Sequence, residues 1–97
     1  MARVAVVTGG TRGIGEAISV ALKNAGYTVA ANYAGNDARA KAFTDRTGIK
    51  AYKWDVADFD ACVAGIKKIE SELGPVDVIV NNAGITRDGT MKKMNRT

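Results

Sequence analysis

Thr8-Gly9-Gly10-Thr11-Arg12-Gly13-Ile14-Gly15 follows directly on the apolar run Val4-Ala5-Val6-Val7 and opens a helical pattern. A strand, a glycine-rich turn and a helix in that order form a phosphate-binding device. The first N–H groups of a helix have no intrahelical partner, and the aligned peptide dipoles put about half a positive charge there, so an anion is attracted. Glycines let the backbone approach such an anion and take turns that a Cβ would forbid. The glycines fall at 9, 13 and 15. That spacing is neither G-x-G-x-x-G nor a P-loop, since no Gly-Lys-Ser/Thr closes it.

The remainder alternates. Residues 3–7 read as a buried strand. Ile14, Ala17, Ile18, Ala21, Leu22 and Ala25 recur at helical spacing and predict the inward face of a first helix, ended by Gly26. Thr28 to Tyr33 reads as a second strand. Asn36-Asp37 is a capping pair for a second helix running to about Thr47, where Gly48 stops it. Ala51 to Trp54 reads as a third strand. Asp58 caps a third helix with Phe59, Cys62, Val63, Ile66, Ile69 and Leu73 on its apolar face, broken by Gly74-Pro75. Val76 to Val80 is the fourth strand. The order βαβαβαβ predicts a Rossmann-type parallel sheet with helices on both faces and strand order 3-2-1-4, within one domain over residues 1–97. A ligand is expected at the carboxyl ends of strands 1 and 4, where the winding direction reverses.

Two stretches meet at that point: T-G-x-x-x-G-x-G at Thr8–Gly15 and Asn81-Asn82-Ala83-Gly84. Together, in order and each after an apolar strand, they resemble the short-chain dehydrogenase/reductase family, and the resemblance runs through Asp55-Val56 to the end of the chain. Members of that family are typically about two and a half times longer, so the chain reads as the N-terminal portion of one Rossmann domain, incomplete relative to the family. In the complete fold a fifth strand would cover the fourth, so the truncated chain is expected to expose an apolar strand edge. Within the family, the runs Ala31–Asp37 and Asn81–Asp88 resemble the branch that reduces acetoacetyl-CoA with NADPH; the branch acting on 3-oxoacyl-carrier-protein stands close to it.

The resemblance implies cofactor contacts at Gly9, Arg12, Gly13, Ile14 and Gly15 around the pyrophosphate, at Asp55 and Val56 around the adenine, and at Asn82, Ala83, Gly84, Ile85 and Thr86 along the nicotinamide half. Asp88 lies where an acyl substrate would enter. The second strand ends in Asn32-Tyr33, where an NAD enzyme usually carries Asp or Glu for the ribose hydroxyls. The absence of that carboxylate, with Arg12 and Arg39 available for a 2′-phosphate, favours NADP(H). Asp37, the one acid nearby, is explained as a helix cap.

The family reaction transfers a hydride to a carbonyl, with a tyrosine as proton donor and a lysine four residues on. Tyr27, Tyr33 and Tyr52 are followed at that spacing by Ala31, Asp37 and Val56. No residue is therefore nominated as catalytic, and the 97-residue chain alone is expected to be inactive. With no histidine, Cys62 has no activating partner and a Ser-His-Asp triad is excluded. Cys62, Tyr52 and Trp54 read as packing residues, and nothing has metal-ligand spacing.

A hydrophobic fraction of 46% suits a globular domain, and the net charge of +4 is scattered except for Lys92, Lys93 and Arg96. No nucleic-acid or membrane partner is expected. The expected partner is an acyl-CoA, in a cytoplasmic protein whose complete form is a homotetramer by resemblance. The other readings are a carrier-protein reductase and a non-catalytic NADP(H)-binding module.

Overall fold

The computed structural model describes residues 3–82. Seven elements follow the expected alternation: β1 (Val4–Val7), α1 (Gly13–Asn24), β2 (Thr28–Tyr33), α2 (Asp37–Thr47), β3 (Lys50–Lys53), α3 (Phe59–Leu73) and β4 (Val76–Val80). The strands pair in parallel in the order β3-β2-β1-β4. β3 begins one residue earlier than its apolar run suggests, because Lys50 pairs with Ala30.

Central β1 is buried at every position, flanked by strands and covered on both faces. Its alternate side chains serve different layers. Val4 and Val6 join Ala30, Tyr52, Trp54 and Ile69 beneath α3. Val7 joins Val29, Ala31, Phe43 and Ile49, against Ile18 and Leu22 of α1. Phe43 and Ile69 are fully buried and anchor the two layers, each contributing about 1.5–3 kcal/mol by leaving water. Gly65 supplies the space for the Trp54 ring, since a Cβ there would overlap the indole.

Helix boundaries match their signals. Asn36 caps α2 by accepting from the Arg39 N–H at 2.9 Å, and Asp58 caps α3 by accepting from the Ala61 N–H at 3.1 Å. Asp37 is therefore the first residue of α2, not its cap. Gly48 ends α2 in the left-handed conformation.

Two helix faces differ from expectation. In α1 the buried residues are Gly15 and Ser19, with Ile18 and Leu22 half-buried beside them; Ile14, Ala17, Ala21 and Ala25 are exposed. The helix is turned so that its smallest residues meet the preceding loop, where a larger side chain would not fit. In α3, Phe59 is 77% exposed and Val63 is exposed as well, whereas Ala61, Cys62, Ile66, Ile69 and Leu73 face inward. Tyr52, Trp54 and Cys62 are packing residues, as expected.

Among the described residues β4 is an edge strand, and its Ile79 is 58% exposed. Its start is bulged. Val4 pairs with Val76 but Ala5 pairs with Val78, and the carboxylate of the extra residue, Asp77, accepts the Val4 N–H at 3.2 Å. The bulge thereby satisfies the amide whose ladder partner it displaces. No helix among the described residues is long and apolar enough to cross a membrane.

Candidate functional site

The loop between β1 and α1 is held on three sides. Gly9 and Gly13 have φ of 62° and 57°, a conformation that L side chains rarely adopt. From β2, Asn32 accepts the Gly9 N–H on Oδ1 at 3.1 Å, and its backbone oxygen accepts the Gly10 N–H at 3.0 Å. From α1, the Ser19 hydroxyl lies 3.1 Å from the Gly10 carbonyl oxygen and 2.9 Å from that of Gly15, and shares its proton between them. From the end of β4, the Asn82 amide donates to the Gly9 carbonyl at 3.2 Å. Thr8 adds its N–H to the Val80 carbonyl at 3.0 Å and its hydroxyl to Asn81 Oδ1 at 3.2 Å.

Asn32 is 2% exposed and uses both ends of its amide, since Nδ2 also donates to the Trp54 carbonyl at 2.9 Å. It thus joins the glycine loop to the segment after β3. Its side chain is committed to the interior rather than presented to a ligand, at the strand end where an NAD enzyme usually carries an acid.

This fastening leaves the start of α1 open. Its N-cap is Arg12, which makes no capping hydrogen bond, whereas α2 and α3 are closed by Asn36 and Asp58. The positive end of α1 therefore faces a cleft of about 730 Å³, within the usual range for small-molecule sites. The cleft is lined by the loop (Gly9, Thr11, Arg12, Gly13, Ile14), by the end of β2 and the turn after it (Asn32, Tyr33, Ala34, Gly35, Asn36), and by Arg39, Val56 and Asn82.

Seven sequence-nominated positions thus converge: Gly9, Arg12, Gly13, Ile14, Arg39, Val56 and Asn82. Gly15 lies behind them, pressed on the Gly9 carbonyl. Asp55 is not part of the lining; its Oδ1 accepts the Ala57 N–H at 2.8 Å in the turn leading to α3. Ala83, Gly84, Ile85, Thr86 and Asp88 lie outside the described residues. Asn32 and Ser19 had no nomination as loop fasteners. Their signal was a polar residue at a position whose neighbours bury it, which becomes visible only when the inward face of the element is known.

Charge around the cleft is mostly positive. Asp37 receives the Tyr33 hydroxyl on Oδ1 at 3.0 Å and the Lys53 ammonium on Oδ2 at 3.3 Å. The Tyr33 hydrogen bond, then Lys53, holds the Asp37 carboxyl below the usual carboxylate range. Burial and the bond to Asp37 push the Tyr33 phenol up. Burial, followed by the bond to Glu72, pushes the Tyr52 phenol up more strongly. Neither phenol is prepared to release a proton near neutrality. Among the described residues no cluster of His, Cys, Asp and Glu could hold a metal ion.

Residues 3–97 match the family model described as short chain dehydrogenase. The acetoacetyl-CoA reductase of Paracoccus denitrificans is 73% identical over 94 residues, covering 97% of this chain and 39% of that protein. The 3-oxoacyl-[acyl-carrier-protein] reductase of Staphylococcus aureus is 44% identical over 99 residues, covering 97% of this chain and 40% of that protein. Among solved structures, a blue fluorescent protein from a metagenomic library in complex with NADPH superposes with a TM-score of 0.78 at 39% identity, over 86% of this chain and 36% of that one. The chain thus spans about two fifths of the length of the curated relatives it matches.

Proposed function

The chain belongs to the short-chain dehydrogenase family, and on that premise we propose that it is the cofactor-binding part of an NADPH-dependent reductase of 3-oxoacyl-CoA thioesters, converting acetoacetyl-CoA to 3-hydroxybutyryl-CoA. The observation that carries the cofactor reading is the cleft itself: a helix N-terminus without a side-chain cap and two arginines facing one space, with no carboxylate in its lining among the described residues. The first turn of α1, with Gly9 and Gly13, holds the pyrophosphate. Arg39 and Arg12 take the 2′-phosphate. Val56 packs on the adenine, and Asp55, oriented by the Ala57 amide, accepts from its amino group. Asn82 and, beyond the described residues, Ala83, Gly84, Ile85 and Thr86 follow the nicotinamide half, with Asp88 toward the acyl substrate.

When bound, the reduced nicotinamide supplies a hydride for a carbonyl carbon. The described residues orient and anchor it. Proton donation is assigned to groups outside residues 3–82, because burial and then hydrogen bonds to carboxylates raise the pKa of Tyr33 and Tyr52, and none of Tyr27, Tyr33 and Tyr52 has a lysine four residues on. The 97-residue chain alone is therefore expected to bind cofactor without turning over substrate. The acyl-CoA reading is favoured over the carrier-protein one by 73% identity against 44%.

Arg39→Leu tests the phosphate assignment. A hydrogen bond to a charged group contributes about 1.5–3 kcal/mol. The variant is expected to bind NADPH about 10- to 100-fold more weakly, with NADH affinity changed less than about two-fold. Fluorescence titration with each cofactor reads this, and equal losses for both would contradict the assignment.

A further inference from the structure

We infer that Lys53, outside the cleft lining, strengthens the preference for the phosphorylated cofactor that the arginines set, by neutralising Asp37 beside the cleft. The inference rests on the NADP(H) reading above and deepens it.

Three side chains from three elements form a line. Tyr33, at the end of β2, lines the cleft and donates its hydroxyl to Asp37 Oδ1 at 3.0 Å. Asp37, at the start of α2, receives Lys53 Nζ on Oδ2 at 3.3 Å. Lys53, the last residue of β3, reaches Asp37 from the neighbouring strand. Asp37 is one hydrogen bond from the cleft-lining Tyr33, so its charge lies beside the cleft that Arg39 also lines. The carboxylate stays ionised, because both partners lower its pKa.

Asp37 alone would repel a 2′-phosphate, which carries close to two negative charges, and would leave a ribose hydroxyl unaffected or better bound. Lys53 cancels that charge and occupies one carboxylate oxygen, while Tyr33 occupies the other. Lys53 is therefore a positioning residue. It touches no cofactor and acts through Asp37. An exposed ion pair of this kind adds little to stability, so its removal alters charge at the cleft while leaving the fold in place.

The test is a cycle on the full chain, reading the dissociation constants of NADPH and NADH by cofactor fluorescence and the melting temperature by circular dichroism. Lys53→Met is expected to weaken NADPH binding about five-fold and to leave NADH unchanged, the order of effect of one uncovered, solvent-screened charge on a phosphate. Lys53→Arg keeps the charge and is expected to restore the preference. Asp37→Asn removes the acid, and in that background Lys53→Met is expected to lower the preference clearly less, because no carboxylate is left to be uncovered. A Lys53→Met variant that keeps the unsubstituted ratio overturns the inference alone, as does an undiminished effect beside Asp37→Asn. An unsubstituted chain that binds the two cofactors equally, or neither, overturns the NADP(H) reading and the inference with it.

Discussion

Gly15→Ala is expected to lose at least about 3 kcal/mol of stability and to abolish measurable cofactor binding. A Cβ at this position would overlap the Gly9 carbonyl oxygen and lie 2.7 Å from Asn82 Nδ2. Overpacking usually costs about 1–3 kcal/mol when side chains can yield. Here the obstacle is backbone, and that backbone is fixed on its other sides by Asn32 and Asn82. The relief open to the molecule is to move α1 away from the loop, which breaks the Ser19 bridge and displaces the helix N-terminus from the cleft. For a domain of this size the loss corresponds to a melting temperature lower by roughly 12–24 °C. Gly35→Ala is the control, because nothing lies within 4 Å of its Cβ, and its melting temperature is expected to stay within about 4 °C. Thermal unfolding followed by circular dichroism compares the two, and a Gly15→Ala protein as stable as Gly35→Ala would show that the close approach at the loop is wrong.

Asn32→Asp would ordinarily be chosen to convert the site to NAD(H), by placing an acid at the end of β2. It is expected instead to destabilise the fold by about 3 kcal/mol at neutral pH without gaining NADH affinity. The side chain is 2% exposed, and its Nδ2 faces the Trp54 carbonyl at 2.9 Å. An ionised carboxylate would set oxygen against oxygen there and bury a charge without a counter-ion. A protonated carboxyl would donate to Trp54 and still accept from Gly9. The folded state therefore raises the pKa of the introduced acid above its unfolded value of about 3.9. The sign follows: the deficit is small near pH 4, grows as pH rises toward the folded-state pKa, and is constant above it. Denaturant unfolding at several pH values measures this, and a pH-independent deficit would contradict the geometry.

The fold was legible because each level of the sequence agreed. Apolar runs of strand length, glycine stops at 26, 48 and 74, and caps at Asn36 and Asp58 fix the element order, and alternation then fixes the parallel sheet with β1 inside. The loop was legible because its glycines need backbone freedom at 9 and 13 and close approach at 15. What periodicity missed was rotation. Hydrophobic spacing placed Ile14, Ala17 and Ala21 on the inward face of α1, yet Gly15 and Ser19 face inward, because the loop contact demands small residues and a hydroxyl there. Similarly, Phe59 and Val63 fit the α3 stripe by spacing but lie beyond the strip that the Trp54 ring and Ile69 occupy. The role of Asn32 was hidden for a related reason: a strand residue's partners lie on neighbouring strands, and the sequence does not say which amide will sit opposite. Position alone makes Asp37 a cap, but Asn36 performs that role, which leaves Asp37 to Tyr33 and Lys53.

On the reading proposed above, the cleft at the open end of α1 is a phosphate-selective dinucleotide site already built by residues 3–82. Parallel titrations of the unsubstituted chain with NADPH and NADH, followed by cofactor fluorescence, test it most directly. Saturable NADPH binding is expected, at least about ten-fold tighter than NADH, the difference a charged arginine–phosphate contact supplies. Equal binding of the two would contradict the roles given to Arg39 and Arg12. Binding of neither by a folded chain would contradict the claim that these residues suffice for the site.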